Sequence, residues 1–323
     1  MGVCPCGRID VHQHFLPPVY AEALSRAGLR TVDGGMPVPA WGETAALEMM
    51  DRQGIETAMV SLSSPSAHFL PLAERPGLVR EINEAGAGLV SAHPGRFGFF
   101  ATLPLPNVAA TLTEIAYVFD TLGVDGVILE TNVDGHYLGT DLFAPVFAEL
   151  NRRGATVFLH PTSPACFEAV ALGRPAPLLE FPLDTTRAVT DLIYNRTLQT
   201  CPDLKVIVPH AGGALPSLAA RIAAFANLPF ITPRPVSEQE AFEALQGLYY
   251  DVALSGHPVS LAVLRALAPL DHILFGSDWP FTPEMGVARN IAQLEAGLTP
   301  DDLRAVAREN AERLFPRLAA LGQ

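Results

Sequence analysis

The chain predicts a closed (β/α)8 barrel of the TIM type, an α/β fold that takes residues 1–323 as a single domain. Eight short apolar runs alternate with helix-period segments along its length. The runs are nearly continuous in hydrophobicity instead of alternating, as strands are when a parallel sheet is covered on both faces. No glycine-rich turn follows the first run, where an open doubly wound sheet would bind a nucleotide.

Taken in order, strands are expected at Ile9–Phe15, Thr57–Ser63, Phe97–Leu103 and Gly126–Thr131, then at Thr156–Pro161, Lys205–His210, Leu248–Leu254 and His272–Asp278. Each is rich in β-branched or aromatic residues and bounded by Gly, Pro or Asp. Helices are expected at Gly42–Gln53, Leu78–His93, Val108–Leu122, Asp141–Arg153 and Asp184–Thr200. Four more follow at Ala214–Ala226, Ser237–Leu245, Pro258–Leu267 and Met285–Leu294. Thr299-Pro300-Asp301-Asp302 opens a last helix, with proline in the first turn and carboxylates near the positive end of the dipole. Lid-like loops are expected at 16–42 and 162–183, each leaving the carboxyl end of a strand, where barrels build substrate walls.

Hydrophobic residues make up 49% of the chain and charged residues 17%, which supplies a large core and argues against disorder. The net charge of −13, with Lys205 the only lysine and the arginines scattered, argues against a nucleic-acid partner. The four cysteines, Cys4, Cys6, Cys166 and Cys201, lack zinc-finger spacing, and Cys4-Pro-Cys6 is too tight for an easy disulfide. Reduced thiols are the expectation. The first residues carry no secretory signal pattern and no apolar stretch reaches membrane-spanning length, so a soluble cytoplasmic protein is expected.

The chemistry lies at the carboxyl ends of the expected strands. His12-Gln13-His14 ends the first, and residues i and i+2 of a strand share a face. His160 ends the fifth, His210 the sixth and Asp278 the eighth. Five such residues converging on the mouth of a barrel form a metal site, expected to be held by His12, His14, His160 and Asp278. Imidazoles with a carboxylate suit Zn²⁺, with Mn²⁺ and Fe²⁺ bound less tightly. His210 either ligates or stands beside the ion as an acid/base. Many two-metal barrel hydrolases bridge their ions with a carbamylated lysine on the fourth strand. Here that strand ends in Glu130-Thr131, and Lys205 begins the sixth strand at the opposite end of the barrel. One ion is therefore expected.

The ordered set Asp10-x-His12-x-His14, His160-Pro161, His210-Ala-Gly-Gly and Gly276-Ser277-Asp278-Trp279-Pro280 resembles the amidohydrolase superfamily over residues 8–315. Within it the chain is similar to the branch containing 2-amino-3-carboxymuconate-6-semialdehyde decarboxylase. His160-Pro-Thr-Ser163, Leu179-Glu-Phe-Pro-Leu-Asp-Thr-Thr-Arg187 and Leu138-Gly139 resemble motifs of decarboxylases of the 6-methylsalicylate type. In relatives acting on 2,6-dihydroxybenzoate-like acids the first-strand motif often carries Glu in place of its first His; this chain has His12 and departs from that subgroup.

The resemblance implies a metal-dependent, non-oxidative decarboxylase of a small aromatic hydroxy acid. The ion would chelate the carboxylate and the ortho-hydroxyl, with Asp278 and His210 in catalytic proton transfer. It maps the ligands onto His12, His14, His160 and Asp278, and the free acid/base onto His210. It also implies a homodimer or homotetramer, with Arg234 as the counterpart of an arginine that binds the substrate carboxylate. Phe281, Trp41, Phe181 and Tyr137 lie in expected mouth loops and are candidates for contact with the ring. Two other readings share the scaffold. The same ion would equally activate water toward an amide, lactone or ester, and a barrel can serve as a non-catalytic binding protein.

Overall fold

Every expected apolar run forms a strand in the computed structural model, which describes residues 7–232 and 234–319. The strands are β1 (Arg8–His14), β2 (Ile55–Ser61), β3 (Phe97–Thr102), β4 (Gly126–Glu130), β5 (Thr156–His160), β6 (Lys205–Val208), β7 (Tyr249–Asp251) and β8 (Ile273–Leu274). They form one sheet of eight in chain order. All neighbouring pairs are parallel, as β–α–β connections require. Irregular backbone closes the ring: Phe275 O accepts from Val11 N at 2.9 Å, Trp279 O from His14 N at 2.8 Å and His12 O from Asp278 N at 2.7 Å. The expected eighth strand is thus cut short, because residues 275–278 leave β8 to meet β1.

Two apolar layers hold this ring. Ile9, Val11, Met59, Phe100, Ile128, Phe158, Ile207 and Leu274 fill its interior, and Ala311, Leu314, Phe315 and Leu318 of the C-terminal segment pack against them. Outside, helices cover the strands, among them Glu43–Gln53, Arg75–Ala92, Val108–Tyr117, Ala144–Arg152, Glu180–Tyr194, Leu215–Phe225, Pro258–Arg265 and Glu284–Gly297. The last expected helix starts at Pro300, and the Thr299 side chain caps it by accepting from Asp302 N. The expected helix Asp184–Thr200 starts earlier, at Glu180, and breaks before Thr197, where Arg196 takes φ 63°.

The two loops expected as lids contain structure of their own. Residues 16–42 include a helix at Pro18–Arg26, whose Tyr20, Ala23 and Leu24 are buried on one face. Residues 162–183 include the short helix Phe167–Val170 and a 3-10 turn at Ala176–Leu178. The loops lock together. Asp33 Oδ2 accepts from Thr162 Oγ1 at 2.8 Å and from Ser163 N at 2.6 Å. Gly34, at φ 68°, lies so close to the second loop that a Cβ there would meet Ala176 Cβ at 2.7 Å.

Cys166 is exposed and Cys201 buried, both as free thiols, while Cys4 and Cys6 lie outside the described residues. Among the described residues no helix is long and apolar enough to cross a membrane.

Candidate metal centre and active site

His12, His14, His160, His210 and Asp278 meet at the carboxyl end of the barrel. Two groupings have ligand atoms within 4.8 Å of one another: His12, His14 and His160, and His12, His210 and Asp278. On β1 a register irregularity between Asp10 and Gln13 re-aims the strand end. Buried Asp10 braces that bend, its Oδ1 accepting from His12 N and from Ser277 N at 3.0 Å each. His160 continues the inward face of β5 two residues past Phe158. His210 and Asp278 both lie beyond the ends of their strands, in left-handed backbone at φ 54° and 58°.

His12, His14 and His210 turn their Nε2 atoms toward Asp278. His12 Nδ1 lies 2.9 Å from Asp251 Oδ2, and His14 Nδ1 lies 3.3 Å from the Ser61 carbonyl. With those nitrogens engaged, the Nε2 atoms of His12 and His14 face each other at 3.1 Å. Asp278 Oδ1 is 3.3 Å from His12 Nε2 and 3.2 Å from His14 Nε2, and its Oδ2 is 3.8 Å from His210 Nε2. Two ring nitrogens held this close, beside a carboxylate, are placed to share one cation.

The electrostatics agree. Burial opposes charge on His12, but Asp251 and Asp278 overcome it and raise the imidazole to about 10. Burial, followed by the neighbouring imidazoles, pushes His160 well below its ordinary value. Asp278 is held well below the carboxylate range: desolvation raises it, but hydrogen bonds from His12, His14 and His210 prevail. The centre therefore favours positive charge, while burial pushes His14 and His160 toward the neutral form that metal ligands take. His160 Nδ1 and His210 Nδ1 are buried without partners. The residues present fit one divalent ion.

Glu130 lies apart from this group. Its Oε2 is 2.9 Å from His68 Nδ1, and both residues line a small separate cavity. Lys205 is exposed at the start of β6, at the far end of the barrel.

A cavity of about 490 Å³ opens above the centre, lined by His160, His210 and Asp278 together with Val32, Met36, Phe181 and Phe281. Phe281 packs edge-on to His14 at 5.4 Å and Phe181 to His160 at 6.3 Å. Those two aromatic candidates stand at the mouth; three other substrate candidates do not. Trp41 packs edge-on to Phe15 at 6.0 Å, behind β1. Tyr137 sits in a two-stranded ribbon and donates its hydroxyl to buried Asp184. Arg234 is an exposed residue whose guanidinium pairs with Asp141 at 2.8 Å. Among the described residues lining the cavity there is no lysine or arginine.

Asp33 and Asp251 were not anticipated. Asp33 lines the cavity from within the loop of residues 16–42. Asp251, fully buried at the end of β7, is hidden behind His12. Its position after an apolar run was the available signal, since Leu248-Tyr-Tyr-Asp251 repeats the pattern that marks His160 and Asp278.

A family model described as Amidohydrolase matches residues 9–317. The 6-methylsalicylic acid decarboxylase of Penicillium expansum is 38% identical over 321 residues, covering 97% of this chain and 98% of that relative. The crystal structure of an amidohydrolase II superposes with a TM-score of 0.89 at 34% identity, covering 96% of this chain and 99% of the other. A 5-carboxyvanillate decarboxylase from Novosphingobium aromaticivorans, complexed with manganese and 4-hydroxy-3-methoxy-5-nitrobenzoic acid, has the same fold. It superposes with a TM-score of 0.85 at 20% identity, covering 98% of this chain and 97% of the other.

Proposed function

Because the chain belongs to the amidohydrolase family, we propose that it is a metal-dependent, non-oxidative decarboxylase of small aromatic hydroxy acids of the 6-methylsalicylate type. One observation carries this reading: a single cluster of imidazoles and one carboxylate at the base of an aromatic-walled cavity, in a chain 38% identical to a 6-methylsalicylic acid decarboxylase over 97% of its length.

In this reading His12, His14, His160 and Asp278 hold one divalent ion. Zn²⁺ suits the donor set best, and Mn²⁺, present in the 5-carboxyvanillate decarboxylase complex, is also accommodated. Bound there, the ion supplies a Lewis acid that fixes the substrate carboxylate and ortho-hydroxyl. With no lysine or arginine among the described lining residues, this centre carries the recognition of the acid. Phe181 and Phe281 hold the ring against the imidazoles. His210 and Asp278 face the same point, take up the proton that the substrate hydroxyl gives up on binding and return it to the ring carbon that bears the carboxylate. The carbon–carboxylate bond then breaks, its electron pair restores the aromatic ring, and CO₂ leaves. The two interlocked loops, 16–42 and 162–183, act as the lid of a single catalytic domain.

The protein acts in the cytoplasm as a homodimer or homotetramer. Exposed Leu178, Leu179, Leu183, Leu254 and Val259 beside the cavity support burial against another copy. Incubating the zinc- or manganese-loaded protein with 6-methylsalicylate, salicylate and orsellinate tests the activity by mass spectrometry. Loss of CO₂ from 6-methylsalicylate is expected. Intact acids across the panel, with turnover of lactones or amides instead, would assign the centre to hydrolysis.

A further inference from the structure

Asp251 does not line the cavity, yet two backbone N–H groups and a ring nitrogen of His12 converge on it. Its Oδ1 accepts from His210 N at 3.1 Å and from Ala253 N at 2.9 Å. Its Oδ2 lies 2.9 Å from His12 Nδ1, with both side chains fully buried. Room for the pair comes from Gly276, where a Cβ would stand 3.1 Å from Asp251 Oδ1 and 2.9 Å from His12 Cβ. A buried carboxylate is costly unless it is fully partnered, and this one is.

We propose that Asp251 is a positioning residue that sets the tautomer of His12, placing the ring proton on Nδ1 so that Nε2 keeps its lone pair for the ion. This rests on the metal-dependent reading above. An ionised carboxylate only accepts hydrogen bonds, so the His12 nitrogen facing it must donate. The opposite nitrogen is then free, and it is the one turned toward His14 and Asp278. A ligand imidazole bound at one nitrogen and anchored through the other to a carboxylate is held in both orientation and basicity.

The backbone makes the proposal testable with one isosteric change. In Asp251→Asn the amide oxygen has to face the N–H groups of His210 and Ala253, because an NH₂ group there would confront two donors. The NH₂ group then faces His12 Nδ1, which must accept, and the ring proton moves to Nε2, where the ion has to bind. Asp251→Ala removes the partner but imposes no tautomer. A residue serving only to fill space would give the reverse order, since alanine leaves a hole and asparagine does not.

The probe is Zn²⁺, titrated into each apo protein in competition with a chromophoric chelator, with circular dichroism reporting the fold. Affinity is expected to fall in the order wild type, Asp251→Ala, Asp251→Asn, the last about 10–100-fold below wild type. Asparagine binding Zn²⁺ as tightly as alanine, or more tightly, overturns the proposal. Should either variant fail to fold, nitrogen-15 spectra of the zinc-loaded wild type decide the matter. A proton on His12 Nδ1 is expected, and Nδ1 bound to zinc instead overturns it. Tight Zn²⁺ binding by both wild type and Asp251→Asn would remove this role and leave the decarboxylase reading standing. No Zn²⁺ binding by the wild type would remove both.

Discussion

Replacing Gly276 with alanine is expected to cripple the centre without altering one ligand. A Cβ at that position would stand 2.9 Å from His12 Cβ, 3.1 Å from Asp251 Oδ1 and 3.2 Å from Asp251 Cβ. Carbon atoms rest about 3.5–4.0 Å apart, so the His12–Asp251 pair must retreat by roughly 0.6–1.1 Å. Little can yield, because Asp278 N and Ser277 N both bond to His12 O where β1 meets the end of β8. Overpacking of this kind costs about 1–3 kcal/mol of stability. A misplacement near 1 Å at a reacting centre costs about a hundredfold in rate. The assay is kcat/KM for 6-methylsalicylate at saturating Zn²⁺, read beside the thermal midpoint. Gly88→Ala serves as the control. It lies in the interior of the helix Arg75–Ala92 with nothing within 4 Å of its Cβ, and should be neutral or slightly stabilising. Wild-type kcat/KM in a folded Gly276→Ala protein would refute the packing of β8 against His12 described above.

Three further outcomes are expected. His160→Ala should lose most of its Zn²⁺ affinity while its metal-free form stays close to wild-type stability, because the ring it removes has a buried Nδ1 without a partner and only a 3.5 Å contact from Nε2 to Ser63 Oγ; a metal-free form much less stable than the wild type would speak against this. Phe281→Ala removes a wall beside His14 and should lower kcat/KM about 10–100-fold, from roughly 1.5–3 kcal/mol of ring contact; an unchanged kcat/KM would place the ring elsewhere. His68 is pulled up by Glu130 against the opposing effect of burial, so its folded value lies above the ordinary 6.5. Its contribution is then fully present below that value and lost as pH rises through the higher folded value. Denaturant titrations across this range should show wild-type stability declining more steeply than that of His68→Gln, and parallel curves would contradict the pairing.

Much of this arrangement was legible because its signals are local. An apolar run ending in His or Asp is visible in a few residues, and all five residues at His12, His14, His160, His210 and Asp278 reach the mouth. The helix at Pro18–Arg26 was also visible in principle, through a proline start and the spacing of Tyr20, Ala23 and Leu24. What escaped depends on distant partners. Asp251 gains its meaning from His12, 239 residues earlier. Trp41, Tyr137 and Arg234 lie in loops whose direction is decided by Phe15, Asp184 and Asp141, and those contacts turn them from the cavity. Phe181 and Phe281 stay at the mouth because each is packed against an imidazole of the centre.

The most direct test is a metal titration of the apo protein followed by release of CO₂ from carboxyl-labelled 6-methylsalicylate. Activity is expected to rise linearly with added Zn²⁺ or Mn²⁺ and to level off at one ion per chain, with none remaining after chelation. A break at two ions per chain would contradict the single-ion centre, and CO₂ release that persists in the chelated protein would contradict a metal-dependent decarboxylase altogether.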